Sequence, residues 1–229
     1  MIPALILFLL VAALDWLAVA KGWKKVDYLA KPASLLILLG LLVLAADFGS
    51  LPLICFGLGI FFSLAGDVFL MISYEHFSDR WFIPGLIAFL LAHLSYIYGL
   101  NIPLPDGSTI WSLGMAVVLA LTAARILRRI IAGLRQKGLR RLVLPVGLYG
   151  MVITLMLLSA LLTLSNTTWK ASASGLVALG AVLFYFSDAL LAWNKFVAPV
   201  RFGRLANMIP YHLGQLALVV GVILQFGNL

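Results

Sequence analysis

Long apolar runs alternate with short polar or basic segments along the whole chain. Eight such runs cover residues 2–20, 29–46, 51–73, 81–100, 110–127, 142–164, 172–193 and 207–227. An α-helix needs about 20 mostly apolar residues to cross the hydrocarbon core of a bilayer. The pattern therefore predicts an all-α, polytopic membrane protein in which residues 1–229 form one domain, a bundle of eight transmembrane helices.

The composition agrees with a membrane protein. Of the 229 residues, 64% are hydrophobic and 10% are charged, whereas soluble domains are about half apolar and about a quarter charged. The single cysteine, Cys55, lies inside an apolar run, which excludes a disulfide framework and a thiolate metal site. The first run lacks a basic leading segment and ends in a basic segment at residues 21–25. We therefore expect a retained span rather than a cleaved signal peptide.

The positive charges predict an orientation in the membrane. The chain has a net charge of +8, but its cations lie beside the apolar runs, where they meet lipid head groups rather than nucleic acid. Every lysine and arginine except Lys170 lies in or next to the loops after runs one, three, five and seven. The positive-inside rule places these loops in the cytoplasm and both termini on the opposite side. Compactness and the lack of sorting tails favour a bacterial inner membrane.

The loop after the fifth run is the most basic part of the chain, with seven basic residues between positions 125 and 141. Ile126, Leu127, Ile130, Ile131 and Leu134 fall on one helical face, with most of the arginines off it. This pattern predicts an interfacial extension of the fifth helix that lies on anionic lipid. A topology anchor and a specific binding patch are both compatible with it.

Two aspartates stand out inside the apolar runs. Asp67 follows Ser63-Leu64-Ala65-Gly66, and Asp188 follows Phe186-Ser187. A charge at the centre of a membrane helix costs about 2.5–3.5 kcal/mol on insertion scales, so such residues usually have a function. With the predicted orientation, both aspartates lie roughly 8–9 Å from the cytoplasmic helix ends.

Most other polar side chains within the runs share this layer, which predicts one polar cavity that opens toward the cytoplasmic leaflet. They are Lys31, Tyr149, Tyr211, His212 and Gln215, while His93 and Tyr96 lie deeper.

Spacing within the helices supports the cavity. Ser63 and Asp67 are i,i+4 neighbours on one helix face, as are Tyr211 and Gln215. His93 follows Asp67 by 26 residues and His212 follows Asp188 by 24, a weak sign of a four-plus-four repeat. Other interpretations remain open for single residues. Either aspartate alone could be a structural hydrogen-bonding partner, His93 a core histidine, and Asp15 an interfacial residue.

Several of these residues belong to short motifs that are spread in order over runs two to eight. The motifs are Lys31-Pro32, Ser63-x-x-Gly66-Asp67, Phe82-x-Pro84-Gly85-x-x-x-Phe89 through His93-x-x-Tyr96, Leu144-Pro145-Val146 with Tyr149-Gly150, Ser187-Asp188-x-x-Leu191-Ala192, and Tyr211 with Gln215. In these motifs the chain resembles the lysoplasmalogenase (YhhN-like) membrane family. The resemblance implies eight spans and hydrolysis of the vinyl-ether bond of lysoplasmalogens to a fatty aldehyde and glycerophosphoethanolamine or glycerophosphocholine.

The two aspartates suit this chemistry. A vinyl ether is hydrolysed by protonation at carbon, which gives an oxocarbenium ion that water captures. The reaction needs a carboxylic acid to give the proton and a carboxylate to stabilise the cation or activate water, as in glycosidases. A low-dielectric cavity disfavours two negative charges, so we expect Asp67 and Asp188 to share one proton and to titrate as a unit.

The remaining polar residues receive supporting roles in this hypothesis, and no cofactor is expected. Lys31 and Lys195 are candidates for the phosphate of a lysophospholipid head group. Candidates for orienting water or the carboxyl groups are Ser63, His93, Tyr96, Tyr149, Ser187, Tyr211, His212 and Gln215. Membrane lipid is the other expected partner, and the oligomeric state stays open.

Three alternatives compete with this hypothesis. A metal-dependent membrane hydrolase could use His93, His212, Asp67 and Asp188, since zinc accepts imidazole and carboxylate ligands. A proton-coupled transporter of a lipid or small molecule could use buried carboxylates as relays, although transporters usually carry polar residues on both sides of the midplane. A lipid-binding protein or receptor without catalysis would tolerate Asp→Asn at one of the two positions.

Overall fold

The computed structural model describes residues 1–45, 50–75, 79–102 and 110–228, and these residues form an all-α bundle. Two short 3₁₀ turns, Arg140–Leu142 and Thr163–Ser165, flank the sixth helix. No strand occurs in the described ranges. The helices are α1 (Ile2–Lys21), α2 (Lys24–Ala45), α3 (Leu51–Glu75), α4 (Asp79–Leu100), α5 (Ile110–Gln136), α6 (Val143–Leu162), α7 (Ala171–Phe196) and α8 (Gly203–Phe226).

The helices coincide with the eight apolar runs, but two of them begin earlier than hydropathy predicts. Helix α2 starts at Lys24 instead of residue 29, and α8 starts at Gly203 instead of residue 207. The two early turns are joined by an ion pair, in which the partly exposed Arg204 of α8 contacts the buried Asp27 of α2. A helix boundary predicted from hydropathy excludes such turns, because charged residues lower the mean hydropathy even where they form an ion pair with each other.

Seven of the eight helices in the described residues are long and apolar enough to cross a membrane. Helix α5 is not one of the seven, and it carries arginines from Arg125 onward. The predicted basic extension is continuous with this helix, which runs without a break to Gln136. The prediction of an integral membrane protein with several membrane-spanning helices is therefore confirmed.

Two helix pairs come into close contact where glycines remove the side chain. A Cβ atom built on Gly180 of α7 would lie 2.7 Å from the Leu218 nitrogen and 2.8 Å from the Gly214 oxygen of α8. On the other pair, a Cβ on Gly85 of α4 would lie 3.3 Å from the Gly66 oxygen of α3. Close backbone contact at small residues is the usual packing mode of membrane helices. These contacts fix α3 against α4 and α7 against α8, so they position the two aspartate-bearing helices.

Helix α8 connects the parts of the bundle. It contacts α1, α2, α3 and α7, and its buried face includes Tyr211, Gly214, Gln215 and Leu218. Helix α4 contacts α3 on one side and α6 on the other. The residues of the predicted polar layer therefore come from helices that surround one space.

The glycine contact between α7 and α8 gives a stability prediction. Gly180→Ala should lower the free energy of unfolding by about 1–3 kcal/mol, because overpacking at backbone atoms forces the helices apart. Gly175→Ala on the same helix is the matched control, since nothing lies within 4 Å of its added Cβ. Denaturant titration in detergent compares the two variants. Equal stabilities would contradict the packing described.

Candidate active site

Asp67 and Asp188 line the same cavity. This cavity has an empty volume of about 910 Å³, including its open mouth. Its polar wall also contains Lys31, Tyr149 and Tyr211, and the rest of the lining is mostly apolar. The structure therefore brings together two carboxyl groups that are 121 positions apart in the sequence.

Asp67 is buried and ion-paired. Its side chain is 2% exposed, and the Lys31 Nζ lies 2.7 Å from Oδ1. The other oxygen, Oδ2, accepts a hydrogen bond of 2.7 Å from the Tyr211 hydroxyl. A carboxylate with a cation and a hydroxyl donor beside it is stabilised in its charged form. These two contacts offset part of the cost of burying a charge on Asp67.

Lys31 has a different partner from the one expected from the sequence. It was expected at the membrane surface as a contact for a lipid phosphate, but its side chain is 7% exposed and its ammonium group is paired with Asp67. The ammonium also lies 5.4 Å from the centre of the Tyr211 ring. Lys31 contacts one of the two aspartates, which makes it part of the polar centre.

Asp188 has a different environment from Asp67. The Tyr149 hydroxyl donates a hydrogen bond to its Oδ2, and the His93 Nε2 lies 2.9 Å from that hydroxyl and 3.7 Å from the same Oδ2. The ion pairs within the described part of the chain link Asp188 to His93 but to no lysine or arginine. With 17% of its side chain exposed, Asp188 is the more accessible of the two aspartates.

The hydrogen bonds His93–Tyr149–Asp188 can run in either direction. With Asp188 ionised, Tyr149 donates to it and accepts from a protonated His93 Nε2. With Asp188 protonated, the acid donates to Tyr149, which then donates to an unprotonated Nε2. His93 Nδ1 is buried without a partner in the described structure, so no other side chain fixes the tautomer. This chain of three groups can therefore accommodate a proton on Asp188 or release it.

Four other predicted residues lie next to the centre as structural support. The Tyr96 hydroxyl donates to the Gln215 Oε1 at 2.8 Å and links α4 to α8. Ser63 is fully buried one turn before Asp67. Ser187 lines the cavity and accepts a hydrogen bond of 2.7 Å from the Asn207 Nδ2. Asn207 was missed by the sequence analysis because it lies just before the turn that carries Tyr211.

His212 and Lys195 are not among the residues that line the cavity. The His212 Nδ1 accepts a hydrogen bond of 3.0 Å from the Trp16 Nε1, so this side chain faces α1. The Lys195 ammonium lies 4.8 Å from the centre of the Phe82 ring. Within the part of the chain that the structure describes, no three His, Cys, Asp or Glu side chains form a group that could hold a metal ion.

Asp15 differs from the sequence-based expectation. It was interpreted as an interfacial residue, but it is fully buried. Its charged neighbours are Asp27, Lys31 and, more distantly, Asp67. The i,i+4 spacing of Asp27 and Lys31 was a signal in the sequence that this end of α2 faces other polar groups.

Comparison with known proteins identifies the family. The model of the YhhN family matches residues 26–222, which include α3 to α7 and most of α2 and α8. The chain belongs to the YhhN family. No solved structure matches it at a significant level.

Relatives of this YhhN-family chain include curated mammalian proteins. It is 35% identical to lysoplasmalogenase TMEM86B of Mus musculus over 144 residues, which is 62% of this chain and 54% of that protein. It is 30% identical to lysoplasmalogenase TMEM86B of Homo sapiens over 144 residues, again 62% and 54%. The chain therefore spans about half the length of the curated relatives that it matches.

The Lys31–Asp67 ion pair gives a second stability prediction. Lys31→Met should lower the free energy of unfolding by about 3–5 kcal/mol, because it leaves a buried carboxylate unpaired. Adding Asp67→Asn should recover much of the loss, since the uncompensated charge is then removed. Lys25→Met, at an exposed position of the same helix, is the control. Unfolding in detergent measures the four proteins, and similar losses in Lys31→Met and Lys25→Met would contradict the ion pair.

Proposed function

We propose that this YhhN-family protein hydrolyses the vinyl-ether bond of lysoplasmalogens in the membrane. The products are a fatty aldehyde and a glycerophosphoethanolamine or glycerophosphocholine. The observation that carries this proposal is the unlike environment of two carboxyl groups on one cavity: Asp67 is paired with Lys31, whereas Asp188 is bonded to Tyr149 beside His93. The relatives named lysoplasmalogenase support the same reaction.

The two environments support separate roles for the two acids. Asp67, held beside an ammonium group, serves as the permanent carboxylate. Asp188, with a phenol and an imidazole as partners, holds the proton that the reaction uses. Environments that drive two carboxyl groups toward different protonation states are the general basis for assigning an acid and a base.

The reaction then proceeds in balanced steps. Asp188 gives its proton to the vinyl carbon distant from the ether oxygen, and the positive charge that develops on the other vinyl carbon and the oxygen is stabilised by Asp67. Water adds to this oxocarbenium ion and returns one proton to Asp188. The hemiacetal splits when its hydroxyl proton passes to the glyceryl oxygen. One water molecule is consumed, and both carboxyl groups end in their starting states.

The apolar walls suit a lipid with one chain. Leu86 and Phe89 on α4, Ile126 and Ile130 on α5 and Ile153 on α6 line the cavity beyond the carboxyl groups. A fatty chain would lie along these residues with the vinyl ether near Asp188. The polar head group would stay at the cavity mouth.

The location of the site is part of the proposal. The positive-inside distribution supports eight spans, with both termini outside and the cavity facing the cytoplasmic leaflet. A substrate in that leaflet could then enter without crossing the bilayer.

Aldehyde release tests this function directly. Purified protein in detergent should convert a lysoplasmalogen to a fatty aldehyde, and Asp188→Asn should lower kcat by at least about 10²-fold because the general acid is lost. Asp67→Asn should also be strongly impaired, since the cation loses its carboxylate. Mass spectrometry of the aldehyde and the glycerophospho product gives the rates.

Two controls define the chemistry and separate the competing functions. The saturated alkyl-ether analogue should not react, because it has no double bond to protonate, and a chelator should leave the rate unchanged. Loss of activity with chelator would favour the metal-dependent hydrolase. No turnover by a well-folded wild type, or full activity in both Asp→Asn variants, would overturn the proposal.

A further inference from the structure

Asn207 of α8 is a cavity residue that the proposed reaction does not use. It is 4% exposed and lines the cavity together with Ser187 and Asp188. Its Nδ2 lies 2.8 Å from the backbone oxygen of Ser187 and 2.7 Å from the Ser187 Oγ. The Ser187 hydroxyl in turn donates a hydrogen bond of 3.1 Å to the Asn207 backbone oxygen. These contacts join Asn207 to the turn of α7 that carries Asp188.

The partners of this amide determine which of its two polar atoms faces the cavity. A backbone oxygen can only accept a hydrogen bond, so the atom beside the Ser187 oxygen must be the amide nitrogen. The Oδ1 of Asn207 then points away from that backbone. Among the described residues, no group donates a hydrogen bond to this oxygen, and it is not one of the fully buried polar atoms without a partner. Asn207 therefore offers the cavity a neutral hydrogen-bond acceptor.

The hydroxyl groups near the two aspartates are already engaged as donors. The hydroxyls of Tyr149 and Tyr211 donate to the aspartates, and the Ser187 hydroxyl is bonded to Asn207 in both directions. A ligand that carries a hydroxyl group into this mostly apolar cavity needs an acceptor for it, because a buried donor without a partner loses the hydrogen bond that it made to water. The Asn207 Oδ1 can accept that bond.

A lysoplasmalogen carries such a hydroxyl close to the bond that is cleaved. The free hydroxyl is on the middle carbon of the glycerol, next to the carbon that bears the ether oxygen. Asn207 lies about one helical turn before Tyr211 on α8, and its Nδ2 is bonded to the residue that precedes Asp188. A vinyl ether placed near Asp188 would therefore bring the glycerol hydroxyl next to Asn207.

We propose that the Asn207 Oδ1 accepts a hydrogen bond from the free glycerol hydroxyl of the lysolipid and thereby selects substrates with a single chain, an inference that rests on the proposed function. A lipid acylated at that oxygen has no donor for Asn207 and would place further acceptors against it. Asn207 is thus a specificity-determining residue. Its bonds to Ser187 hold the amide in the orientation that this recognition needs.

Two matched substrates test this recognition: a lysoplasmalogen and its 2-deoxy analogue, in which hydrogen replaces the hydroxyl while the chain and the head group stay the same. In the wild type, loss of the hydroxyl should lower kcat/KM by about tenfold, the effect of one hydrogen bond. Asn207→Ala should make the two kcat/KM values equal, because the acceptor is removed. Ser187→Ala is the matched control. It removes the hydroxyl contacts between α7 and α8 but keeps the Asn207 amide and its bond to the α7 backbone, so the difference between the two substrates should persist.

A purely structural role of Asn207 predicts a different result. Asn207→Ala would then slow both substrates by the same factor and leave the difference between them unchanged, which would overturn the proposal. Equal kcat/KM values for the two substrates in the wild type would overturn it as well, and this comparison needs no variant. Circular dichroism and gel filtration check folding, and Asn207→Leu takes the place of Asn207→Ala if the latter does not fold.

Binding measurements separate this inference from the proposed function. The saturated 1-alkyl lysolipid has no double bond to protonate, and its affinity can be compared with that of its 2-deoxy analogue by native mass spectrometry. The wild type should bind the compound with the hydroxyl about tenfold more tightly, whereas Asn207→Ala should bind both equally. This pattern in a protein that releases no aldehyde would reject the proposed function alone. Aldehyde release without any preference for the hydroxyl would reject the role of Asn207 alone.

Discussion

Burial of the Asp67 carboxylate is the constraint on which the arrangement of the helices depends. An ionised carboxyl group inside an apolar bundle is tolerated only with a cation and hydrogen-bond donors next to it. Lys31 on α2 and Tyr211 on α8 provide them, so three helices must meet at one point. The glycine contacts hold α3 against α4 and α7 against α8, and they thereby position the two helices that carry Asp67 and Asp188.

The two aspartates differ because their neighbours differ. A lysine is ion-paired with Asp67, whereas Asp188 accepts a hydrogen bond from the Tyr149 phenol, which also contacts the His93 imidazole. This asymmetry supports the proposal of separate roles for the two aspartates, whereas the sequence alone suggested a pair that shares one proton. In this proposal, the proton donor and the stabilising charge for acid-catalysed addition of water lie on the same apolar cavity.

Much of the fold was predictable, because a long apolar run in the sequence indicates the position of a membrane helix. Each of the eight runs overlaps one helix of the structure, although α2 and α8 begin earlier than predicted and α5 extends further. The shared cavity of Asp67, Asp188, Tyr149 and Tyr211 was also predictable, because the fixed rise along a helix predicts similar depths for them.

The direction in which each side chain points around its helix was harder to predict from the sequence. Tyr211 and His212 are adjacent and about 100° apart around α8, and only packing decides that the first faces Asp67 and the second faces Trp16. The same limit applies to Lys31, whose partner depends on how α2 turns toward α3. Ion pairs between distant segments, such as Asp27 with Arg204, are also missed by hydropathy, because both charges lower the mean hydropathy of their segments.

In the proposed reaction, a proton is transferred to the vinyl carbon distant from the ether oxygen, and water then attacks the other vinyl carbon. Hydrolysis of a lysoplasmalogen in water doubly labelled with deuterium and ¹⁸O tests it most directly, with both products analysed by mass spectrometry. The proposed reaction predicts one deuterium on the carbon next to the aldehyde carbonyl and no ¹⁸O in the glycerophospho product. A glycerophospho product that contains ¹⁸O would show cleavage on the glycerol side of the ether and would contradict this reaction.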